Sequence, residues 1–264
     1  MKSTLAKIEN IKNNGYTIDF STVFDHAFEN FKKITLYSAL IILVFSFIAG
    51  IVAMLVIGNI YGFENLPKLI EESLKPSKLT LEEALISTIG ISLLSAILAP
   101  FGAGFYKMAD AADKNNEFKA SFMFSYYKTP YFAPLFASTL IITAVNNAIA
   151  NTLESTGFIF IGVAISIAIN FFMFFTIPLI VFGNLKAVDA IKGSITVVSK
   201  NPLMIFGVFI IGIIGSIVGV FACGVGMLFT YVFNTSMSYA TYYDIFDMEQ
   251  EEDSIDSIGQ SDQI

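Results

Sequence analysis

The most regular feature of the sequence is a series of long apolar stretches separated by shorter polar ones. A helix needs about 20 mostly apolar residues to cross a hydrocarbon layer about 30 Å thick. Six stretches meet this requirement: 34–58, 84–106, 131–150, 158–182, 203–221 and 224–246. The last two are separated only by small residues, but roughly 44 residues are enough for two crossings. The pattern therefore predicts six transmembrane helices.

A polar segment with its own helical pattern precedes each pair of predicted membrane helices. One face of the first segment collects Val23, Phe24, Ala27, Phe28, Phe31 and Ile34, at about 100° per residue. One face of the third segment collects Ala187, Val188, Ile191, Ile195 and Val198. The second segment, 117–130, is aromatic nearly all round. We predict an all-α membrane protein of three hairpins, each preceded by a cytoplasmic interfacial helix. The alternative is that these are the basic amphipathic loops of any multi-pass protein.

Acidic charge is concentrated at the end of the sequence. The formal net charge is −7, and residues 247–264 hold seven acidic side chains and no lysine. Such a segment cannot bury enough apolar surface to order itself, so we expect a disordered acidic tail. The rest of the chain divides into a cytoplasmic N-terminal segment, 1–20, and a membrane domain, 21–246.

The basic residues are all lysines, and they are distributed unevenly. Twelve of the 15 fall before the first apolar stretch or in the loops 107–130 and 183–202, and three fall between the first two stretches. Because cytoplasmic loops are enriched in lysine and arginine, both termini are predicted to be cytoplasmic. No basic face of the kind that binds nucleic acid is present. Membrane lipid is the expected partner, and other membrane proteins stay open as partners.

The composition excludes several chemistries. The sequence has one cysteine, Cys223, and one histidine, His26, whereas zinc and disulfide sites need more of these residues. Nucleophile and phosphate-loop motifs are absent as well. We therefore predict no metal, no cofactor, no catalytic residue and no enzymatic activity. His26 falls on the polar face of its helix, where a solvated side chain is expected.

Several motifs resemble a known group of proteins. They are Phe20, Phe24, Phe31 and Lys32-Lys33 before the first span, Pro100 to Gly104, Ala190 and Ser194 leading to Lys200-Asn-Pro202, and Tyr231, Tyr239, Tyr242 and Tyr243. In these the chain is similar, over about 20–246, to uncharacterised bacterial six-helix integral membrane proteins. That group is akin to the membrane domain attached to some glycerophosphodiester phosphodiesterases. The resemblance implies a bacterial cytoplasmic (inner) membrane location and carries no established activity.

Neutral polar and helix-breaking residues within the apolar stretches are the candidates for a cavity. They are Asn146, Asn147, Asn170 and Asn234, with Pro100, Gly102 and Gly104 near the end of the second stretch. Asparagines in membrane helices also form interhelical hydrogen bonds, which is the simpler interpretation. Broken helices line sites in some transporters, so a break at Pro100 would favour a cavity.

Two further groups of residues are predicted to contact lipid or other helices. Phe24, Phe28, Phe31, Lys32 and Lys33 are expected at the membrane surface, where lysines attract anionic headgroups. Gly212, Gly215 and Gly219 lie on one side of the fifth span, where small residues allow close helix packing.

Two functions remain open at this point. The first is a non-enzymatic membrane module that organises lipid or partners at the cytoplasmic face. The second is a channel or transporter for a neutral or lipid-like solute. No ionisable residue lies at the centre of a predicted span, which argues against proton-coupled transport. A cavity lined by Asn147 and Asn170 would favour the second function.

Overall fold

All of the regular secondary structure in the described part of the chain is helical. The computed structural model describes residues 2–73, 80–221 and 225–246. The helices are α1 (Lys2–Asn14), α2 (Phe20–Tyr61), α3 (Leu66–Ser73), α4 (Leu81–Asp113), α5 (Phe132–Ser155), α6 (Ile159–Phe172), α7 (Thr176–Val181), α8 (Ala187–Lys200), α9 (Pro202–Ile217), α10 (Gly226–Thr230) and α11 (Phe233–Ile245). Short 3₁₀ segments lie at Phe63–Asn65, Ala120–Tyr127 and Val218–Phe221. The predicted tail, 247–264, lies outside the described residues.

Five helical stretches of the described chain are long and apolar enough to cross a membrane. They are Phe20–Tyr61, Glu82–Asp113, Phe132–Ser155, Ile159–Val181 and Pro202–Phe221. Each coincides with one of the first five apolar stretches of the sequence. The chain is thus an all-helical protein with several helices able to span a membrane.

The sixth predicted span, 224–246, is not confirmed. Its first residue lies outside the described residues, and the remainder divides at Tyr231 and Val232 into two helices. These are α10, with five residues, and α11, with 13. Each is shorter than the ~20 residues that a single crossing helix requires. The arrangement as three hairpins is therefore not confirmed either.

Helix α2 joins the first polar segment to the first apolar stretch without interruption. Asp19 caps its start by accepting hydrogen bonds from the Thr22 backbone N–H and hydroxyl, which lower the pKa of the Asp19 carboxyl. The helix runs for 42 residues, about 63 Å, because it contains no proline and its first glycine is Gly50. A separate interfacial helix over Val23–Ile34 is therefore not confirmed.

The apolar face at the start of α2 packs mainly on protein. Val23, Ala27 and Ile34 are buried, and the rings of Phe24 and Phe31 both meet the Phe233 ring of α11 edge-on. Of the residues expected at the membrane surface, Phe28, Lys32 and Lys33 are exposed, and Lys32 pairs with Glu29. Lys33 donates a hydrogen bond to the Ala112 carbonyl of α4.

Helix α11 is surrounded by other helices on nearly all sides. Its buried residues are Phe233, Ser236, Met237, Ser238, Tyr239, Ala240, Thr241 and Tyr242. The hydroxyls of Ser236, Ser238 and Thr241 donate to Asn30 Oδ1, the Phe174 carbonyl and the Met237 carbonyl. A helix with this many polar groups needs such partners when it leaves water. It therefore forms the centre against which α2, α4, α7 and α9 pack.

A break between α6 and α7 is held by a serine of α8. The buried Ser194 hydroxyl donates to the Phe172 carbonyl (2.6 Å) and accepts from the Phe175 backbone N–H (3.0 Å). Both backbone groups lie where the helical hydrogen bonds are interrupted. Ser194 therefore ties α8 to the fourth candidate span and satisfies its backbone.

Helix α1, in the segment expected only to be cytoplasmic, packs on α8. Ile8 and Ile11 are buried there, and Thr4 donates to the Gly183 carbonyl. A Cβ atom at Gly193 would meet the Ile8 side chain closely, so the glycine allows this approach. At the end of α11, Lys7 Nζ donates to the Phe246 carbonyl, a position that favours a cation.

Helix α4 runs through Pro100 without a break. The expected interruption is not found: the helix is continuous over 33 residues with Pro100 inside it, although proline supplies no backbone N–H. The Tyr127 hydroxyl donates to the Ile97 carbonyl in the preceding turn. Gly104 lets the 3₁₀ segment approach, since a Cβ there would collide with the backbone of Phe122 and Met123.

The later part of α2 exposes its side chains on every side. The rings of Phe45 and Phe101 stack at 4.2 Å, but beyond them large residues from Phe47 (69% exposed) to Ile60 (67%) are uncovered. In the most apolar 18-residue window of α2, no residue is buried. Such a helix is stable in lipid and unstable in water.

We predict that Ser194→Ala destabilises the protein by about 1–3 kcal/mol, because it leaves two buried backbone groups without a partner. Ser199→Ala, on the exposed side of the same helix, is the control. Thermal melting in detergent measures both. Equal midpoints for the two variants would show that Ser194 does not hold the break.

Candidate functional site

A polar cluster joins α2, α4 and α11 where α4 ends. His26 and Asn30 lie one turn apart on α2, so they share a face. The Nε2 atom of His26 is 2.5 Å from Asp113 Oδ2, and Asn30 Nδ2 donates to Asp113 Oδ1 at 2.7 Å. Ser236 of α11 donates to Asn30 Oδ1 at 3.2 Å. Three helices are therefore linked through two side chains of α2.

The expectation that His26 is solvated is wrong. Its side chain is 27% exposed and that of Asp113 is 18% exposed, because α11 covers this part of α2. The His26 ring meets the Tyr239 and Tyr243 rings edge-on. Among the described residues no serine or cysteine is hydrogen-bonded to His26. The hydrogen bonds of the cluster join α2 to α4 and α11.

A groove of about 410 Å³ lies between α5, α6, α9 and α11. Its volume is in the range of small-molecule sites, ~300–1,000 Å³. Most of its walls are apolar, formed by Ala150, Ile159, Gly162, Val163, Ile167, Phe209 and Ile213. Three of the helices that form it belong to candidate membrane spans. The groove is therefore suited to an apolar chain.

Four polar residues also line this groove. Asn170 and Ser166 are on α6, Asn234 is on α11, and Glu154 is near the end of α5. Asn170 is exposed, and its Nδ2 atom donates to the Ser166 carbonyl at 2.8 Å. The Oδ1 atom of Asn234 is buried and has no hydrogen-bond partner among the described residues. Two carboxamides in an apolar groove can orient a ligand that carries uncharged polar groups.

The other predicted cavity residues do not line this groove. Asn146 and Asn147 are half-buried on α5, and the Asn146 Oδ1 atom is buried without a partner. Their neighbour Asn151 donates to Thr88 Oγ1 at 2.9 Å and so joins α5 to α4. Pro100, Gly102 and Gly104 lie on α4, outside the groove. The structure thus brings together two of the four asparagines.

The glycines of the fifth span face α10 and α11. A Cβ atom at Gly212 would collide with Asn234 Oδ1, and one at Gly215 would collide with the Phe233 ring. A Cβ atom at Gly219 would collide with the Gly226 backbone. Close packing of this span therefore requires glycine at positions 215 and 219, and Gly212 makes room for an asparagine of the groove.

A second cavity, of about 470 Å³, lies between the beginnings of α5 and α8. Its lining residues include Pro130, Tyr131, Asn184 and Lys186.

No metal site is found in the described parts of the chain, since no three histidine, cysteine or carboxylate side chains come together there.

Sequence reasoning missed the other members of both sites. Asp113 lies at the end of α4, and only the fold shows that it meets His26. The spacing of His26 and Asn30 could have indicated a shared partner, because two polar residues four positions apart on a helix lie on the same face. Nothing in the sequence around Glu154 or Phe209 indicates that they line a groove, since a glutamate at a helix end and a phenylalanine within an apolar helix are both common in membrane proteins.

We predict that Gly215→Ala destabilises the protein by about 1–3 kcal/mol, because the new methyl group overlaps the buried Phe233 ring. Gly207→Ala on the same helix meets open space and should be neutral or stabilising by up to about 1 kcal/mol. The measurement is chemical unfolding in detergent micelles. A loss of stability in Gly207→Ala as large as in Gly215→Ala would contradict this account of the α9–α11 contact.

Comparisons with known proteins leave the chain without an assigned relative. No protein-family model matches it, and neither the curated proteins nor the solved structures contain a significant match. The resemblance to bacterial six-helix membrane proteins therefore stays a prediction.

Proposed function

We propose that this chain is a non-enzymatic module of the bacterial cytoplasmic membrane that organises lipid at the cytoplasmic surface. In this proposal the chain crosses six times, with α10 and α11 forming the sixth passage and both termini inside. The unequal distribution of lysines supports this orientation. The beginning of α2, α1 and α8 then lie on the cytoplasmic side.

The observation that carries the proposal is the mixed surface of α8. Val188 and Ile195 are 52% and 40% exposed, and Lys192 is exposed between them along the helix. Lys200 is exposed at the end of the helix, next to Leu203, which is 83% exposed. Large apolar side chains beside lysines are typical of a helix at the surface of an anionic membrane.

The opposite side of α8 is fixed in the protein. Ala190, Ser194 and Val197 are fully buried, and the Tyr16 hydroxyl donates to the Val197 carbonyl at 3.0 Å. A surface supported in this way pays little ordering entropy on contact with lipid. In the described chain, Lys192 and Lys200 have no carboxylate partner, so their charges are available to headgroups.

The second candidate is a channel or transporter for a neutral or lipid-like solute. The specific observation in its favour is the groove that contains Asn170 and Asn234. The groove does not include Asn147, which was the other half of the expected cavity. A ligand site within the membrane is compatible with either function, and flux across a vesicle membrane would distinguish transport from binding.

We predict that Lys192→Gln combined with Lys200→Gln lowers the preference for phosphatidylglycerol over phosphatidylcholine at least about tenfold, since each lysine near an anionic surface contributes about 1 kcal/mol. Native mass spectrometry of the protein released from nanodiscs that contain both lipids measures how much of each lipid stays bound. The effect should weaken at high salt.

The matched control replaces Lys12 and Lys114 by glutamine. Both lysines are exposed, but each already pairs with a carboxylate three or four residues earlier, so the preference should hardly change. Equal losses in the two double variants, or no loss in either, would reject α8 as the lipid-organising surface.

A further inference from the structure

We propose that the groove between α5, α6, α9 and α11 binds an uncharged glyceride-type lipid, such as diacylglycerol. One acyl chain lies along the apolar walls, and the hydroxyl and ester groups lie at Asn170 and Asn234. This inference rests on the groove alone. It holds whether or not α8 organises anionic lipid, because the two surfaces share no residue.

The walls of the groove identify the apolar part of the ligand. Val163 and Ile167 on α6 line it and are 52% and 42% exposed, and Phe209 and Ile213 of α9 also line it. The α6 and α9 walls belong to spans able to cross a membrane, so lipid chains are the apolar material that reaches this groove. A volume of about 410 Å³ accommodates part of a lipid molecule.

Asn170 identifies the polar part of the ligand. It lies on the span Ile159–Val181, two residues before Phe172, whose carbonyl accepts a hydrogen bond from Ser194 of α8, and its side chain is exposed. Its only hydrogen bond in the described chain is from Nδ2 to the Ser166 carbonyl of its own helix. An amide left without partners in hydrocarbon costs roughly 2–7 kcal/mol. A ligand hydroxyl or ester group at this depth supplies the missing partner.

Asn234 lies across the groove from α6 and provides the second polar contact. Its Oδ1 atom is buried on the Gly212 side, without a hydrogen-bond partner. Since the residue lines the groove, the nitrogen end of the same amide is the end available to a ligand. A donor at Asn234 and an acceptor at Asn170 match a molecule that has both an ester carbonyl and a hydroxyl.

The charge of the surroundings selects an uncharged lipid. No lysine is among the described residues that line the groove, so a phosphate would have no counter-charge. The one ionisable residue there is Glu154, and its carboxylate repels anionic headgroups. A charged group at the depth of Asn170 also costs several kcal/mol, whereas a hydroxyl does not carry this penalty.

The test uses the full chain in phosphatidylcholine nanodiscs with photoactivatable diacylglycerol or photoactivatable phosphatidylglycerol that carry the same acyl chains. We expect diacylglycerol to label α6 at least about tenfold more than phosphatidylglycerol does. Asn170→Leu should lower diacylglycerol labelling about fivefold, the equivalent of one hydrogen bond. Equal labelling by the two probes, or stronger labelling by phosphatidylglycerol, would overturn the proposal.

Two matched controls separate the groove from general contact with lipid. Asn59 of α2 makes the same bond from its amide nitrogen to the carbonyl four residues earlier and is also exposed, so Asn59→Leu should leave labelling unchanged. Val163→Trp fills the groove and should abolish labelling, whereas Ile161→Trp, on the same helix but outside the groove, should not. An equal change in labelling by the two variants of either pair would show that the label reports contact with bulk lipid. That result would overturn the proposal that the groove is the binding site. Melting curves confirm that each variant is folded.

Discussion

Polar groups that leave water must find partners inside the protein, and in this chain the burial of α11 shows that constraint most clearly. The helix carries serine, threonine and tyrosine on most of its faces, and most of them are buried. The hydroxyls of Ser236, Ser238 and Thr241 bond to α2, to the backbone between α6 and α7, and to α11 itself. Among the described residues, the buried Tyr239 hydroxyl and Asn234 Oδ1 atom have no such partner. The helices around α11 supply the groups that meet this requirement. The beginning of α2 supplies Asn30, α9 supplies a glycine face that admits Phe233 and Asn234, and α8 supplies Ser194 for the break next to α11.

This central helix also explains where sequence reasoning succeeded and where it failed. Five apolar stretches are confirmed as helical stretches long and apolar enough to cross a membrane, because length and hydropathy suffice to identify such a helix. The stretch 224–246 has similar length, but its polar residues are compatible either with a helix that crosses the membrane or with one enclosed by protein. Which of the two forms depends on the helices that pack against it in the fold. The same neighbours changed the interpretation of α2. An apolar face such as Val23, Ala27 and Ile34 indicates burial, but the pattern does not say whether lipid or another helix covers it.

The candidate groove was predictable only in part. A polar residue in an apolar stretch is visible in any sequence, so Asn170 and Asn234 could be selected together with Asn146 and Asn147. Which of them share a cavity depends on helix rotation, and rotation is set by distant contacts such as that of Asn151 with Thr88. His26 was assigned to solvent because its partner, Asp113, is 87 residues away. In both proposals, the end of the bundle that holds α1, α8 and α11 is fixed by protein contacts, and the apolar helices extend from it.

The position of α11 beside the beginning of α2 is the claim on which this account rests, and cysteine cross-linking tests it most directly. In a Cys223→Ser background, Asn30→Cys with Ser236→Cys places two thiols where the native side chains are 3.2 Å apart. Asn59→Cys with Ser236→Cys is the comparison pair, since Asn59 is on the exposed later part of α2. Mild oxidation in native membranes, followed by mass spectrometry of the linked peptides, should give a disulfide in the first pair and none in the second. A folded protein that forms no disulfide between positions 30 and 236 would contradict the central position of α11.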